Sequence, residues 1–151
     1  MTLCLIYFSY YAAVLRHTSL LKLMEVVAMI DEFFIPMKIE SSNTFVWASW
    51  RKYNGYKKKW KKAMGFLVGR KAKQETKRTR IEIVSLRGRL LDRENLIAGS
   101  KPIPDILKEL GWIVDDSEKW FFARYVQKLE KNKQERGTII RVFSGLEKNK
   151  K

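Results

Sequence analysis

An acidic cluster interrupts an otherwise strongly basic chain. The 151 residues include 31 Lys and Arg against 16 Asp and Glu, yet seven carboxylates fall between positions 92 and 118. They are Asp92, Glu94, Asp105, Glu109, Asp115, Asp116 and Glu118. Mg²⁺ prefers oxygen ligands and usually takes one or two carboxylates together with substrate phosphates. A basic surface that attracts a polyanion, and carboxylates that hold a cation against it, are the minimum equipment for metal-assisted phosphodiester hydrolysis.

Cysteine and histidine are too scarce for the other common catalytic centres. Cys4 is the single cysteine and His17 the single histidine. An intramolecular disulfide, a zinc-type cysteine cluster and a two-histidine metal site are therefore excluded, and a Ser-His-Asp or Cys-His centre is disfavoured. The length suits one domain with a hydrophobic core, and the 46% hydrophobic content excludes a compositionally disordered chain.

The positive charge is concentrated in one segment. From Arg51 to Arg89 there are 15 Lys and Arg but only two acids, so this segment carries 15 − 2 = +13 of the formal net charge of +15. Such a segment is either a solvated helix face with a charged loop or a surface that tracks phosphates. The concentration of positive charge in one segment favours the second interpretation, a surface that tracks phosphates. The candidate DNA-binding residues are Lys57, Lys58, Lys61, Lys62, Arg70, Lys71, Arg78, Arg80, Arg87 and Arg89.

Residues 1–30 differ from the rest and are expected to stand apart from a domain at 31–145 and a basic tail at 146–151. The first fifteen residues are apolar, without the basic start of a signal peptide and shorter than a membrane span. Three interpretations remain open: an appended helix, residues translated upstream of the true start, or a weak membrane-associating segment. We favour the first two and expect no stable membrane association.

The sequence of the first half of the domain predicts a strand, a helix and a second strand. Residues 33–39 predict a strand disturbed by Pro36, and residues 79–87 predict a second strand by alternation. Between them, residues 45–68 predict one helix with an apolar stripe that is expected to enter the core: Val46, Trp50, Tyr53, Trp60, Met64 and Leu67. Trp47 and Tyr56 lie off that stripe and are expected to meet a ligand.

The second half predicts two short helices and two strands. Gly99, Pro102 and Pro104 forbid one continuous helix, so helices are expected at 94–98 and 102–110, with Gly111 as a left-handed C-terminal cap. Strands are expected at 119–129 and 138–143, paired as a hairpin. The sum is a single α+β domain with a mixed sheet and two main helical regions.

The spacing of the acidic residues resembles that of the RusA-type Holliday junction resolvases, a family of small phage and prophage endonucleases. The resemblance covers about residues 33–143 and is strongest at 91–117. Its motifs are Asp92-Arg93-Glu94-Asn95-Leu96, then Lys101 and Asp105, then Gly111-Trp112-Ile113-Val114-Asp115-Asp116, with Ile35-Pro36 and Ser42-Asn43 upstream. Three features depart from the family pattern: Glu94 replaces an Asp, a few extra residues within 97–100 precede Lys101, and residues 1–30 have no counterpart.

The resemblance implies a fold, an activity and a set of site residues. It implies a cytoplasmic Mg²⁺-dependent endonuclease, with Mn²⁺ as a substitute, that acts as a homodimer on four-way DNA junctions in recombination and repair. Lys101 is expected to stabilise charge developing at the phosphate. The metal ligands are expected to be Asp92, Glu94 and Asp116 with Asp115 beside them, supported by Asn95 and by Asp105, which could instead be a ligand itself.

Taken singly, the same acids have ordinary structural explanations. Asp92 could cap the helix that follows, and Asp115-Asp116 could be a turn. Their joint spacing favours metal binding if the strand ends that carry them lie close together. The alternative function is a non-catalytic basic DNA-binding accessory protein of phage origin. It accounts for the charge but leaves unexplained why carboxylates cluster where phosphates must approach.

Overall fold

The computed structural model describes residues 28–46 and 50–144. The interpretations of residues 1–27, of Trp47 and of the tail beyond 144 lie outside those residues. The described chain is one α+β domain with a mixed four-stranded sheet, as predicted. In chain order its elements are β1 (Ala28–Ile35), α1 (Asn43–Val46), α2 (Trp50–Leu67), β2 (Thr79–Arg87), α3 (Arg93–Ser100), α4 (Pro102–Glu109), β3 (Phe121–Leu129), a 3₁₀ turn (Lys133–Glu135) and β4 (Gly137–Ser144). No helix in the described ranges is long and apolar enough to cross a membrane.

The order of the strands is β1-β4-β2-β3. β4 is antiparallel to both β1 and β2, whereas β3 is parallel to β2 at the far edge. The predicted hairpin between β3 and β4 is therefore wrong. β4 alternates fully buried Thr138, Ile140 and Val142 with half-buried Ile139, Arg141 and Phe143, which suits a central strand. β3 lies at the edge and carries two charged residues, Arg124 and Lys128, and charged side chains on an edge strand resist unwanted pairing.

The chain passes from β3 to β4 around the end of β2. The backbone N–H of Glu130 donates to the Arg87 carbonyl at 2.8 Å. The Arg136 side chain donates from Nε to the Glu130 carbonyl at 2.9 Å and from Nη2 to the Lys131 carbonyl at 3.1 Å. These bonds fix the connection, so β4 enters the sheet on the opposite side of β2 from β3.

The boundaries of two predicted elements need correction. β1 covers Ala28–Ile35 and not 33–39, because Pro36 has no N–H for the sheet and the chain turns with the Met37 N–H on the Ile35 carbonyl at 2.7 Å. β1 therefore includes residues 28–30, which the sequence predicted to belong to an extension. The single helix expected at 45–68 is described as α1 and α2, with residues 47–49 undescribed between them.

The core lies between one face of the sheet and the helices. Trp60 and Met64 from α2 are fully buried there together with apolar residues from α4 and the sheet: Ile81, Ile83, Ile103, Ile106, Leu107, Ile140 and Val142. Two aromatic predictions are reversed. Trp50, expected in the core, is 73% exposed, and Tyr56, expected at a ligand, is only 7% exposed. Tyr56 is buried because its hydroxyl has protein partners: it donates to the Gly99 carbonyl at 2.9 Å and accepts from the Glu40 N–H at 3.2 Å.

Two glycines behave differently from one another. Gly111 has φ of 82° and ends α4 as predicted, since that backbone conformation disfavours residues with a Cβ. Gly99, expected to interrupt the helix, lies inside α3 and is buried. A Cβ at Gly99 would stand 2.0 Å from the Glu40 carbonyl oxygen, so the absence of a side chain lets the segment after β1 pack directly on α3.

Replacing Gly99 by Ala should destabilise the domain by about 1–3 kcal/mol, because backbone must move to admit the new carbon. Gly55→Ala is the matched control: it lies within α2, nothing stands within 4 Å of the position that a Cβ would occupy there, and the change should stabilise by up to about 1 kcal/mol. Urea unfolding of both variants measures the difference. Equal midpoints would contradict the close packing of Glu40 on Gly99.

Candidate active site and nucleic-acid interface

Asp92 and Glu94 lie at the start of α3, a few residues after β2 ends. Asp92 occupies the N-cap position but makes no side-chain capping bond, so its carboxylate is not consumed by the helix as the cap interpretation supposed. Its Oδ2 accepts a hydrogen bond from Asn95 Nδ2 at 3.3 Å. Asn95 Oδ1 in turn accepts from the Ser42 hydroxyl. Glu94 is exposed in the first turn. Asn95 therefore connects Asp92 to the loop before α1, and its role beside a metal ligand stays a prediction.

A cavity beside Asp92 is lined by basic side chains. Arg87 donates from Nη1 to the Ile39 carbonyl at 3.2 Å and from Nε to the Arg89 carbonyl at 2.6 Å. Burial lowers the pKa of Arg87 from its usual value, although an arginine remains charged. The end of β2 thus brings two arginines to the carboxylate that follows it. The lining residues are Ser41, Asn43, Arg87, Arg89, Leu90, Leu91, Asp92 and Asn95.

Asp115 and Asp116 share one cation supplied by the protein. Lys108, in the last turn of α4, places its Nζ against Asp115 Oδ1 and at 3.2 Å from Asp116 Oδ1. The Lys108 ammonium holds the pKa of Asp115 well below its usual range, and the two carboxylates raise the pKa of Lys108. The pair can therefore face a single positive charge, which is the arrangement that a divalent cation would need.

Lys101, Asp105 and Asp116 meet at a second cavity, at the other end of α3. Lys101 is exposed between α3 and α4, and Asp105 accepts from Lys57 Nζ at 2.8 Å. This ion pair orients Asp105, whose role beside a metal site stays a prediction. The cavity is lined by Ile97, Ala98, Lys101, Pro104, Asp105, Asp116, Phe121 and Tyr125.

The predicted acids are thus divided between the two ends of α3. Asp92 and Glu94 lie at its start, whereas Asp116 lies beside its end. Within residues 28–46 and 50–144, no group of three Asp, Glu, His or Cys side chains is placed to hold one metal ion. Binding of one ion by Asp92, Glu94 and Asp116 stays a prediction. The residues that best fit Mg²⁺ are Asp115 and Asp116, since two carboxylates are a common protein contribution to its shell.

The predicted DNA-binding lysines of α2 fall into two groups. Lys57 pairs with Asp105 at 2.8 Å, and Lys61 pairs with Glu109 at 2.6 Å, so these two side chains connect α2 to α4. Lys58 and Lys62 are exposed and form no ion pair with any described residue. Of the four predicted DNA-binding lysines of α2, these are the two whose charge is available to phosphates.

The remaining predicted basic residues are also partly engaged. Arg70 is exposed, whereas Lys71 pairs with Glu75 at 2.6 Å. Arg78 donates from Nη2 to the Glu118 carbonyl at 3.2 Å, and the Arg80 guanidinium lies 4.9 Å from the centre of the Phe143 ring. The positive charge is present as predicted, but a share of it serves local structure.

Phe121 and Tyr125 are cavity residues that the sequence did not predict. Both lie on β3 four residues apart, so they face the same side of the sheet. β3 begins shortly after Asp116 in the sequence. The alternation of side chains along a strand would have predicted that both rings lie on the same face. Only the packing of β3 beside β2 shows that they close the cavity that Asp116 and Lys101 border.

No family model matches the chain, and no curated protein matches it. The resemblance to the junction resolvases therefore stays a prediction that depends on the motifs alone.

Lys108→Met should raise the pKa of Asp115 toward the ordinary value of about 3.9, because the largest cause of its depression is the Lys108 hydrogen bond. Carboxyl-carbon NMR titration measures this. The ion pair should stabilise the fold above the ordinary Asp pKa and lose that effect as the pH falls through the depressed value. Lys101→Met removes the same charge nearby and should leave the Asp115 titration unchanged. An unshifted Asp115 in Lys108→Met would contradict the pairing.

Proposed function

We propose that the protein is a Mg²⁺-dependent endodeoxyribonuclease that cleaves branched DNA, with the four-way junction as its principal substrate. The observation that carries the proposal is the Asp115–Asp116 pair, which faces the Lys108 ammonium and whose Asp116 borders the cavity of Lys101. In a protein with a net charge of +15, paired carboxylates beside an exposed lysine are explained if a cation and a phosphate meet there. A bound Mg²⁺ would activate water and polarise the phosphate.

The side chains have separate proposed roles. Asp115 and Asp116 hold the metal ion after the Lys108 ammonium has moved away from them, so the metal ion replaces the ammonium at the same carboxylates. Asp92 and Glu94 complete the ligand set, which requires the start of α3 and the Asp115–Asp116 turn to approach one another. Lys101 stabilises negative charge on the phosphate, since an ammonium group is most effective where charge develops.

Binding to DNA is proposed to depend on backbone contacts. Lys58 and Lys62 on α2, with Arg70, Arg87 and Arg89, would contact phosphates without reading sequence. A homodimer is proposed because a four-way junction has two-fold symmetry and needs two incisions, and two-fold dimers are the commonest oligomers. Such a protein would act in the cytoplasm of a bacterial or phage-infected cell.

A non-catalytic DNA-binding protein is the second candidate, and one observation favours it. Lys108 already offsets one of the two negative charges of Asp115 and Asp116, so these acids would repel DNA less even without a metal ion. The two candidates differ in one measurable respect. The nuclease needs the carboxylate of Asp116 for cleavage, whereas the binding protein uses it only to hold Lys108.

The decisive experiment incubates the purified full chain with synthetic four-way junctions, with and without Mg²⁺. Asp116→Asn should reduce cleavage at least about 100-fold, because one carboxylate that holds the ion is lost, while junction binding remains or strengthens. Glu118→Gln is the matched control: it removes an exposed acid two residues away and should cleave like the parent. Junctions left intact by the parent protein with Mg²⁺ or Mn²⁺ would refute the nuclease and favour the accessory protein.

Replacing Lys58 and Lys62 by Gln should weaken binding to duplex and junction alike. The magnitude of the log–log salt slope should fall by about 1.8, at about 0.9 for each lost phosphate contact. The same double change at Lys57 and Lys61 removes equal charge but breaks ion pairs with α4, so its slope should change less and its unfolding midpoint should fall. Fluorescence anisotropy across a salt series measures the slopes. Identical slopes for both double variants would contradict the division of the α2 lysines.

A further inference from the structure

The cavity between the end of α3 and β3 combines an apolar wall with a charged rim. Phe121 and Tyr125 form one side, and Ile97, Ala98 and Pro104 form the other. Lys101, Asp105 and Asp116 border the same cavity. Its volume is about 250 Å³, just below the range of pockets for drug-sized ligands, which begins at about 300 Å³. A cavity of this size accommodates one flat ring system.

We propose that this cavity receives a single unpaired nucleobase from the DNA, stacked against Tyr125, while the phosphate next to that base lies at Lys101. The inference deepens the proposed function by naming how branched DNA is distinguished from duplex, and it rests on that function for the identity of the ligand. Aromatic side chains stack on every base, so the cavity would select for an unpaired base and not for a sequence.

Tyr125 has the properties that this role needs. It is half-buried on β3, and its hydroxyl has no hydrogen-bond partner among the residues that the structure describes. Burial raises the pKa of Tyr125, so its ring stays neutral at physiological pH. A tyrosine whose hydroxyl is not needed for the fold, and whose ring borders a cavity, is available to a ligand. Phe121, which like Tyr125 is half-buried and packs against the core, would form the wall beside it.

Binding of a base in this cavity would favour branched DNA over intact duplex, because the two differ in the energy needed to expose a base. Removing a base from intact duplex requires breaking its pairing and stacking, and the cost is smallest where the base is already mismatched or single-stranded. The centre of a branched DNA is such a place. Base capture at this cavity would then position the neighbouring phosphate at the rim, between Lys101 and the Asp116 carboxylate.

The test measures binding in metal-free buffer, so that it does not depend on cleavage. The DNA probes are a duplex, the same duplex with one bulged nucleotide, and the same bulge with an abasic nucleotide. The parent protein should bind the base-containing bulge about tenfold more tightly than the abasic bulge, which corresponds to the energy of one base–aromatic stack. Equal binding of the two bulges would overturn the proposal without any bearing on whether the protein is a nuclease.

Three variants assign the preference to the cavity. Tyr125→Leu should lose the preference for the base while its affinity for the duplex stays unchanged, whereas Tyr125→Phe should keep it because the ring remains. Phe122→Leu is the matched control, since Phe122 is the next aromatic on β3, is 51% exposed and faces the other side of the sheet. Retention of the preference in Tyr125→Leu, or an equal loss in Phe122→Leu, would show that the base is bound elsewhere.

Discussion

The hydroxyl of Tyr56 is the point at which three separate segments meet. It donates to the Gly99 carbonyl of α3 and accepts from the Glu40 N–H of the segment after β1, while its ring belongs to α2. Its burial raises its pKa to about 12, so it stays protonated and able to donate. The position of α3 decides where both cavities lie, because Asp92 is at its start and Lys101 follows its end. The arrangement of the candidate site therefore depends on this one buried hydroxyl and on the missing Cβ of Gly99 beside it.

Ion pairing divides the charged residues between structure and ligand binding. Asp105 and Glu109 are paired with lysines of α2, and Glu82 is paired with Arg124 and Arg141 on the sheet. These contacts are partly exposed, so each contributes modestly to stability. Their larger effect is to orient the side chains. Asp115 and Asp116 differ from the other pairs because two carboxylates share the ammonium of one lysine, Lys108.

Local signals are sufficient to predict some elements and insufficient for others. The bounds predicted for β2 are the observed ones, because the alternation at Ile81 and Ile83 is flanked by a basic loop on one side and by Gly88 on the other. The prolines at 102 and 104 correctly predict the separation of α3 from α4. The neighbours of β4 cannot be predicted from local signals, because strand pairing depends on how all the strands are arranged in the sheet. For the candidate site, the acids can be chosen from their spacing. Their pairing with Lys108, and the approach of Tyr125, depend on contacts between elements.

The position of β4 has a consequence for how the protein folds. It is the last strand of the described chain, yet it lies in the interior of the sheet, and its pairing with β1 joins Ala28 to Ser144. Until β4 is synthesised, neither β1 nor β2 has its antiparallel neighbour, and both present unpaired backbone groups. Contacts between residues so distant in sequence are slow to form because a long loop must close first. The nascent chain thus passes through a period in which open strand edges are exposed, and a chaperone that shields them would raise the yield of folded protein.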